Sequence, residues 1–544
     1  MRTYILALTR YPIAINMMIY TAIAFLQIRT IGHRRENDLA DRLLIGILFL
    51  NQALAYLTIY AAQKEARLLF FWLFQAVVMA VAIFLYRTFY PNCNRILYTH
   101  VCMMLSIGLI IITRLSFDKA VKQFVIAAIG LVVTIAVPAF MKKFRYARNL
   151  VYFYALTGIL ALAVVLIVGR AVNGSNLSFT IAGVTMQPSE FVKILYVLFL
   201  ASAYYYAADT HQILAAGFFA MIHVGILILS RDLGSGLIYY VVFLFMTLLA
   251  SGKYRYFAAG IGLGAVGALV CVKLFSHVQV RVTAWLNPWS VIDGMGYQLT
   301  QSLFAISGGG LFGAGLTQGT PTDIPFVESD FIFAAICEEM GLLFGMCLLA
   351  LCLVIFLNML WSALNFADRF YRFMSFGFAV TYIFQSFLTI GGEVRFIPLT
   401  GVTLPLVSYG GSSVLSTILM FSMVEAIFIM QQDRLAGYAR RYEAEQRQRR
   451  RTHADTGQRA ARYRELPMPQ ALRRPALPRQ EFSRPDRGNI PIVHQHASPS
   501  EGDYLDDGMT EDLSDIDLRD YSVVGGDDRT ESGAEDRQDR NDEE

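Results

Sequence analysis

The chain has 544 residues, of which 55% are hydrophobic and only 16% charged, with a formal net charge of +4. Soluble domains run at about 45–50% apolar; here the polar residues gather at the C-terminal end, so the remainder is too apolar for a water-soluble enzyme. The six cysteines form no CxxC pair and have no histidine at metal spacing, which reads as buried, inert thiols.

Apolar runs long enough to cross about 30 Å of hydrocarbon recur through residues 1–431. The expected spans are 5–28, 43–62, 68–86, 97–113, 123–140, 149–168, 188–207, 212–230, 234–251, 256–274, 331–358, 372–390 and 407–431, thirteen in all. The first lacks a small-residue cleavage site and reads as an anchor, not a removable leader. Orientation follows from where Lys and Arg collect. MKKFRYAR at 141–148 is the most basic short loop and is expected on the cytoplasmic side. Counting alternately from it puts 29–42, 251–256, 368–372 and the C-terminal tail inside, and the N-terminus and the long loop 275–330 outside. The loop 114–122, with Arg114, Lys119 and Lys122, runs mildly against that scheme.

From Asp433 onward the chain is rich in Arg, Pro, Gln and Asp, basic first and acidic at its end, with too few large apolar residues to bury a core. Disorder is expected there, although RLAGYARRYEAEQRQRRR has the composition to continue the last helix against anionic headgroups.

Four polar constellations map to the outer ends of the helices. GVTMQPSEFVKILYVLF at 183–199 puts Pro188 in a first helical turn and Glu190 and Lys193 at i,i+3 on one face; a structural ion pair and a cavity-lining pair are both open readings. SRDLGSG at 230–236 holds Arg231 and Asp232 in a tight turn, structural or functional with equal weight. GYQLTQSLFAISGGGLFGAGLTQG at 296–319 places Gln298, Gln301 and Ser302 at helical spacing before a glycine-rich run. Exposed N–H groups in that run are suited to cradling an anion such as pyrophosphate, against a plain re-entrant loop. GEVRFIPLTGVTLPLVSYGGSSVLSTILMF at 392–421 carries Arg395 and the small residues of SYGGSS, suited to close helix packing or to a shared outer cavity. At the end of the long loop stands Asp330, opening an apolar run that also holds Glu338 and Glu339. A helix cap accounts for one carboxylate but not for three, and ionisable groups at membrane depth are usually functional.

QPSEFVK, NPW…D…GYQ..QSL…GG..G.G, SDFIFA..EE.G and G..LP.VSYGGSS follow one another in an order and spacing that resembles the SEDS family (FtsW, RodA, SpoVE), over roughly residues 97–431. The resemblance implies a ten-helix core, here at 93–431; about three extra N-terminal transmembrane helices in 1–92 and a disordered cytoplasmic tail at 432–544, read from hydropathy and composition, lie outside the family pattern and complete an all-α polytopic membrane protein. It implies a membrane glycosyltransferase that polymerises lipid II at the outer leaflet of a bacterial cell membrane, working with a class B penicillin-binding protein and with no nucleic-acid partner. The family's essential aspartate falls on Asp330, and its Glu and Lys fall on Glu190 and Lys193. Gln187, Ser189, Arg231, Gln298, Arg395, Ser408 and Ser412 are the further expected substrate contacts. Departures are NGSNLS at 173–178, SRD at 230–232, WLNPW at 285–289 and ESD at 328–330, the first two bearing on substrate contacts.

The implied chemistry is attack by an acceptor sugar hydroxyl on a donor anomeric carbon with inversion, Asp330 taking the proton and a cation such as Lys193, with Arg231, meeting the departing pyrophosphate. No metal ligands are read from the residues; a divalent cation, magnesium or manganese, stays open as a helper. The rival readings are a lipid II flippase, which calls for ionisable residues at the bilayer midplane, and a non-catalytic scaffold for the penicillin-binding protein.

Overall fold

Each of the thirteen apolar runs folds as helix, and the described residues of a computed structural model are 8–30, 38–144, 146–168, 170–172, 175–181, 184–207, 209–294 and 296–455. Three helices precede the core: α1 (Arg10–Leu26), α2 (Asp38–Gln63) and α3 (Ala66–Phe89). The core follows with α4 (Arg95–Leu115), α5 (Phe117–Lys143), α6 (Val151–Val168), α7 (Pro188–Tyr206), α8 (Thr210–Leu229), α9 (Leu233–Ser251) and α10 (Tyr254–Leu274). Two short helices, α11 (Ser276–Leu286) and α12 (Tyr297–Gly308), lie in the long loop; α13 (Ile332–Met340), α14 (Leu342–Leu364), α15 (Arg369–Glu393) and α16 (Gly411–Asp455) complete the order. Among the described residues ten helices are long and apolar enough to cross a membrane. Of the remaining spans, α1 and α6 are apolar but short, and α7 carries Glu190 and Lys193.

Helix α4 shows why the bundle holds together. Its sequence has no polar face, and residues from Ile96 to Thr113 are all buried, with α2, α5 and α14 packed around it. A helix apolar on every side suits either lipid or a protein interior; this one has all its sides covered by protein, unlike Tyr254–Leu274, which is equally apolar and not buried.

The expected span 331–358 is not one helix. It breaks at Gly341, whose φ of 93° and ψ of 161° are open to glycine and strained for other residues. A break at this depth would strand backbone groups that hydrocarbon cannot satisfy. The glycine-rich loop docks there and satisfies them: Leu342 N–H donates to Gly310 O at 2.9 Å and Leu343 N–H to Leu311 O at 3.0 Å. In return, Ala314 N–H donates to Glu338 O at 2.8 Å and Gly315 N–H to Glu339 O at 3.0 Å. A Cβ on Gly341 would stand 2.4 Å from Gly313 N. The N–H groups of Ala314 and Gly315 are therefore spent inside the protein, and these two do not form the anion cradle expected of the run.

The connection from α6 to α7, expected as a loop, holds a small antiparallel meander of β1 (Arg170–Val172), β2 (Ser175–Ile181) and β3 (Val184–Met186) in that order. It is a minor addition to an all-α fold. Of the departure at 173–178, Asn173 and Gly174 lie outside the described residues.

Polar contacts sort into two ends. At one, Lys119 pairs with Glu328 of the long loop, Arg114 with Glu339 at 3.0 Å, and Arg10, at the start of α1, donates to Gly313 O at 2.8 Å. At the other, Lys142 meets Asp433 at 2.6 Å and Arg148 donates to Tyr205 at 3.1 Å. The start of α1 thus shares an end with the long loop, and the basic 141–148 segment shares the opposite end with Asp433, as an odd number of crossings requires. The segment 432–455 is helical and continues the last span, the course that the composition of RLAGYARRYEAEQRQRRR allowed; its Ala, Glu, Gln and Arg are strong helix formers. By internal contacts 1–443 is one unit, and the described part of the second, 444–455, belongs to the helix just named. The rest of the expected disordered tail lies outside the described residues.

Candidate active site

Asp330 closes the turn 326–330, its N–H bonded to Phe326 O at 3.0 Å. It does not cap the helix that follows. The capping position of α13 is Phe331, without a side-chain cap, and the orphan donors of a helix start are met from another helix: the buried carboxylate of Glu393, at the end of α15, accepts from Ala334 N–H at 2.8 Å. The Asp330 carboxylate is left free to face elsewhere.

It faces Gly401 and Arg281. Gly401 has φ 71°, and a Cβ there would stand 3.5 Å from Arg281 Nη2 and 3.8 Å from Asp330 Oδ2, so the absent side chain leaves the carboxylate accessible beside the guanidinium. Arg281, on α11, is held by Thr400 O at 2.8 Å. Burial raises the Asp330 pKa above the ordinary carboxylate value; the Ser329 hydroxyl and Arg281 pull it back in part, and Glu328 adds to the rise. A carboxyl moved toward neutrality is a stronger proton acceptor once ionised, which suits a general base.

A buried polar cluster lies on α7. Lys193 Nζ sits 2.5 Å from Glu190 Oε2 and donates to Gln385 at 2.8 Å, while Ser416 donates to Glu190 at 3.0 Å. Gln385 also donates to Thr403 O at 3.0 Å, tying α7, α15, α16 and the 394–410 segment together. The i,i+3 pair expected from the sequence is made, inside the bundle and away from lipid.

Asp232 joins the two regions. One oxygen caps α9 by accepting from Ser235 N–H at 3.1 Å; the other accepts from Ser189 at 3.1 Å and Gln187 at 3.3 Å. Burial raises its pKa, the bonds from Ser235 and Ser189 oppose that, and Glu190 adds to it. Arg281 interacts electrostatically with both Asp330 and Asp232, so one guanidinium serves two carboxylates. His277, one turn before Arg281 on α11, has a lowered pKa from burial and from Arg281 and Arg231, which keeps it neutral. That interaction brings Arg231, whose φ is 61°, to the same locale.

Gln187 and Ser189 thus meet on Asp232, Glu190 and Lys193 pair on the same helix, and Ser412 joins them by accepting from Gln187 N–H at 3.4 Å, while Asp330 stands beside Arg281. Ser408 locks a turn, accepting from Leu404 N–H at 3.0 Å, while its carbonyl accepts from Gln123 at 2.8 Å. Arg395 is spent on carbonyls at the end of α11, Trp285 O at 2.8 Å and Leu286 O at 2.7 Å, so it orients the helix bearing Arg281. Gln298 is half-buried on α12, and no described contact ties it to Asp330.

Sequence reading passed over Arg281, Asp232 as a hub, Glu393 and the Lys119–Glu328 pair. Arg281 had a visible signal, a single cation in the apolar-alternating VQVRVTAW of the long loop. Glu393 had none, because its partner Ala334 is 59 residues away. Among the described residues no three His, Cys, Asp or Glu side chains converge as a metal shell.

A profile of the FtsW/RodA/SpoVE family, described as cell cycle protein, matches residues 94–433. Peptidoglycan glycosyltransferase RodA of Mycobacterium tuberculosis is 32% identical over 373 residues, covering 63% of this chain and 79% of its own. Probable peptidoglycan glycosyltransferase FtsW of Escherichia coli O157:H7 is 33% identical over 304 residues, covering 54% and 72%. A chain solved in work on structural coordination of polymerization and crosslinking by a peptidoglycan synthase complex superposes with a TM-score of 0.53 at 25% identity, covering 61% of this chain and 96% of that one.

Proposed function

This chain belongs to the FtsW/RodA/SpoVE family, and we propose that it joins lipid II units into glycan strands with Asp330 as general base. It is a multi-pass membrane peptidoglycan glycosyltransferase, as its relatives are named. In the proposed step the acceptor 4-hydroxyl oxygen bonds to the donor anomeric carbon from the face opposite the pyrophosphate. The bond from that carbon to the pyrophosphate oxygen breaks, its electron pair leaves with undecaprenyl pyrophosphate, and the hydroxyl proton passes to the Asp330 carboxylate.

The observation that carries this reading is the Asp330 carboxylate itself: uncommitted to helix capping, raised in basicity by burial, and set beside a guanidinium across the bare face of Gly401. Arg281 is the cation placed to meet negative charge on the leaving group. Lys193, given that role on sequence grounds, is committed to Glu190 and Gln385 and instead stiffens the floor of the site.

The end of the bundle bearing the long loop faces the outer leaflet in this reading, with Asp433 and the basic 141–148 segment cytoplasmic, following the positive-inside rule. A transpeptidase of the class B penicillin-binding protein type is the proposed partner, in keeping with the synthase complex from which the similar solved chain comes.

The test is polymerisation of lipid II by the purified protein, with and without such a partner, scored as glycan chains. Asp330→Asn lowers the rate by roughly 10²–10⁴-fold, the range of a lost general base, while the protein keeps its thermal unfolding midpoint. A folded Asp330→Asn protein that polymerises at the parent rate overturns the assignment.

A further inference from the structure

We infer that the N-terminal helices α1–α3 are an intramolecular brace that holds the glycine-rich loop against the Gly341 break and so keeps α13 and Asp330 in position. This rests on the reading of Asp330 given above. The family profile begins at residue 94, so these helices lie outside the matched core.

The loop needs external support. Gly310, Gly313 and Gly315 adopt φ of 58°, 78° and 108°, and such glycines lose more backbone entropy on ordering than other residues. With few side chains to pack, the loop depends on the main-chain bonds it exchanges across Gly341. Helix α1 supplies the missing side chains. Arg10 Nη1 donates to Gly313 O at 2.8 Å, and the Tyr11 ring packs on Phe312 with centroids 5.2 Å apart. The guanidinium is itself steadied by Tyr11, whose hydroxyl accepts from Nη2 at 3.0 Å.

A brace must also be anchored at its far end. The buried stripe of α1, Ile13, Ala14, Met17, Tyr20, Thr21 and Ala24, has the i,i+3/i+4 spacing of one helix face and packs against α14. Tyr20 bonds to His100 on α4 at 2.9 Å. Arg87 on α3 grips Asp41 on α2 at 2.7 and 2.8 Å and donates to Thr99 on α4 at 3.1 Å; Tyr56 on α2 bonds to Thr113 on α4 at 2.9 Å. The extra helices are fixed to the most buried helix of the core and reach across it to the loop. From Gly313 the bonds of Ala314 and Gly315 to Glu338 and Glu339 lead into α13, whose first turn follows Asp330.

The experiment compares the full-length protein with Arg10→Ala/Tyr11→Ala and with Arg10→Lys. Hydrogen exchange of amides 309–316 is followed by mass spectrometry, and kcat and KM for lipid II polymerisation are measured on the same samples. Loss of a charged donor on a carbonyl predicts exchange about tenfold faster in that loop, unchanged exchange in α4, a lower kcat with KM held, and recovery of both by Arg10→Lys. Unchanged loop exchange in the double variant overturns the brace, and faster exchange with unaltered kcat overturns its link to the site. Failure of the Asp330 reading would appear separately, as an active Asp330→Asn protein, and leaves the exchange result standing.

Discussion

Removing the Arg281 charge is the sharpest probe of the site, because it changes the basicity of Asp330 without touching it. Arg281 Nη2 and Asp330 Oδ2 lie 3.5 and 3.8 Å from one point, the position of a Cβ on Gly401. The two charged atoms are therefore at most about 7 Å apart, where Coulomb's law gives roughly 0.6 kcal/mol at the dielectric of water and about 2.4 kcal/mol at an effective 20. That attraction holds the Asp330 pKa below where burial alone would put it, and exposure of the guanidinium weakens the effect through solvent screening. The sign is fixed by the chemistry. A general base works ionised, and taking away the cation raises its pKa, so the acid limb of the pH–rate profile moves to higher pH. For Arg281→Gln we expect that limb to shift to higher pH relative to the parent, because the lowering influence of the guanidinium is gone, and Arg281→Lys to restore most of it. Because Arg281 also holds Thr400 O at 2.8 Å, a drop in pH-independent rate accompanies the shift without explaining it. The assay is lipid II polymerisation measured across pH on both variants and the parent. An acid limb that stays in place, or moves downward, in a folded Arg281→Gln protein refutes the coupling.

Gly341→Ala places a Cβ 2.4 Å from the Gly313 backbone at a φ of 93°, a strain of at least about 1–3 kcal/mol; the thermal unfolding midpoint in detergent falls, and an unchanged midpoint would show that the loop does not seat in the break. Lys193→Met leaves Glu190 as an unpaired buried charge and costs about 3–5 kcal/mol, read as a large loss of midpoint. Pairing it with Glu190→Gln recovers much of that stability, and a double variant no better than the single would argue against the ion pair.

Much of this protein is legible in the chain itself, since hydrocarbon permits few solutions. A run of about twenty apolar residues in hydrocarbon satisfies its backbone as a helix, and each such run is helical, 331–358 in two pieces either side of Gly341. The i,i+3 spacing of Glu190 and Lys193 likewise dictated their pairing. Tertiary structure alone decided which polar groups are free. Asp330 and Glu393 are both carboxylates at helix ends; Glu393 is spent on Ala334 N–H and Asp330 is not, because α15 ends against the start of α13. Arg395 and Arg281 are both cations near the site; one is consumed by carbonyls of α11 while the other stands beside Asp330. The helix break at Gly341 was hidden because a glycine in an apolar run looks the same whether the helix continues or stops. What stops it is a partner 28 residues earlier in sequence, the loop at Gly313. Periodicity is a property of neighbours along the chain, whereas the commitment of a polar group depends on what long-range packing brings to it.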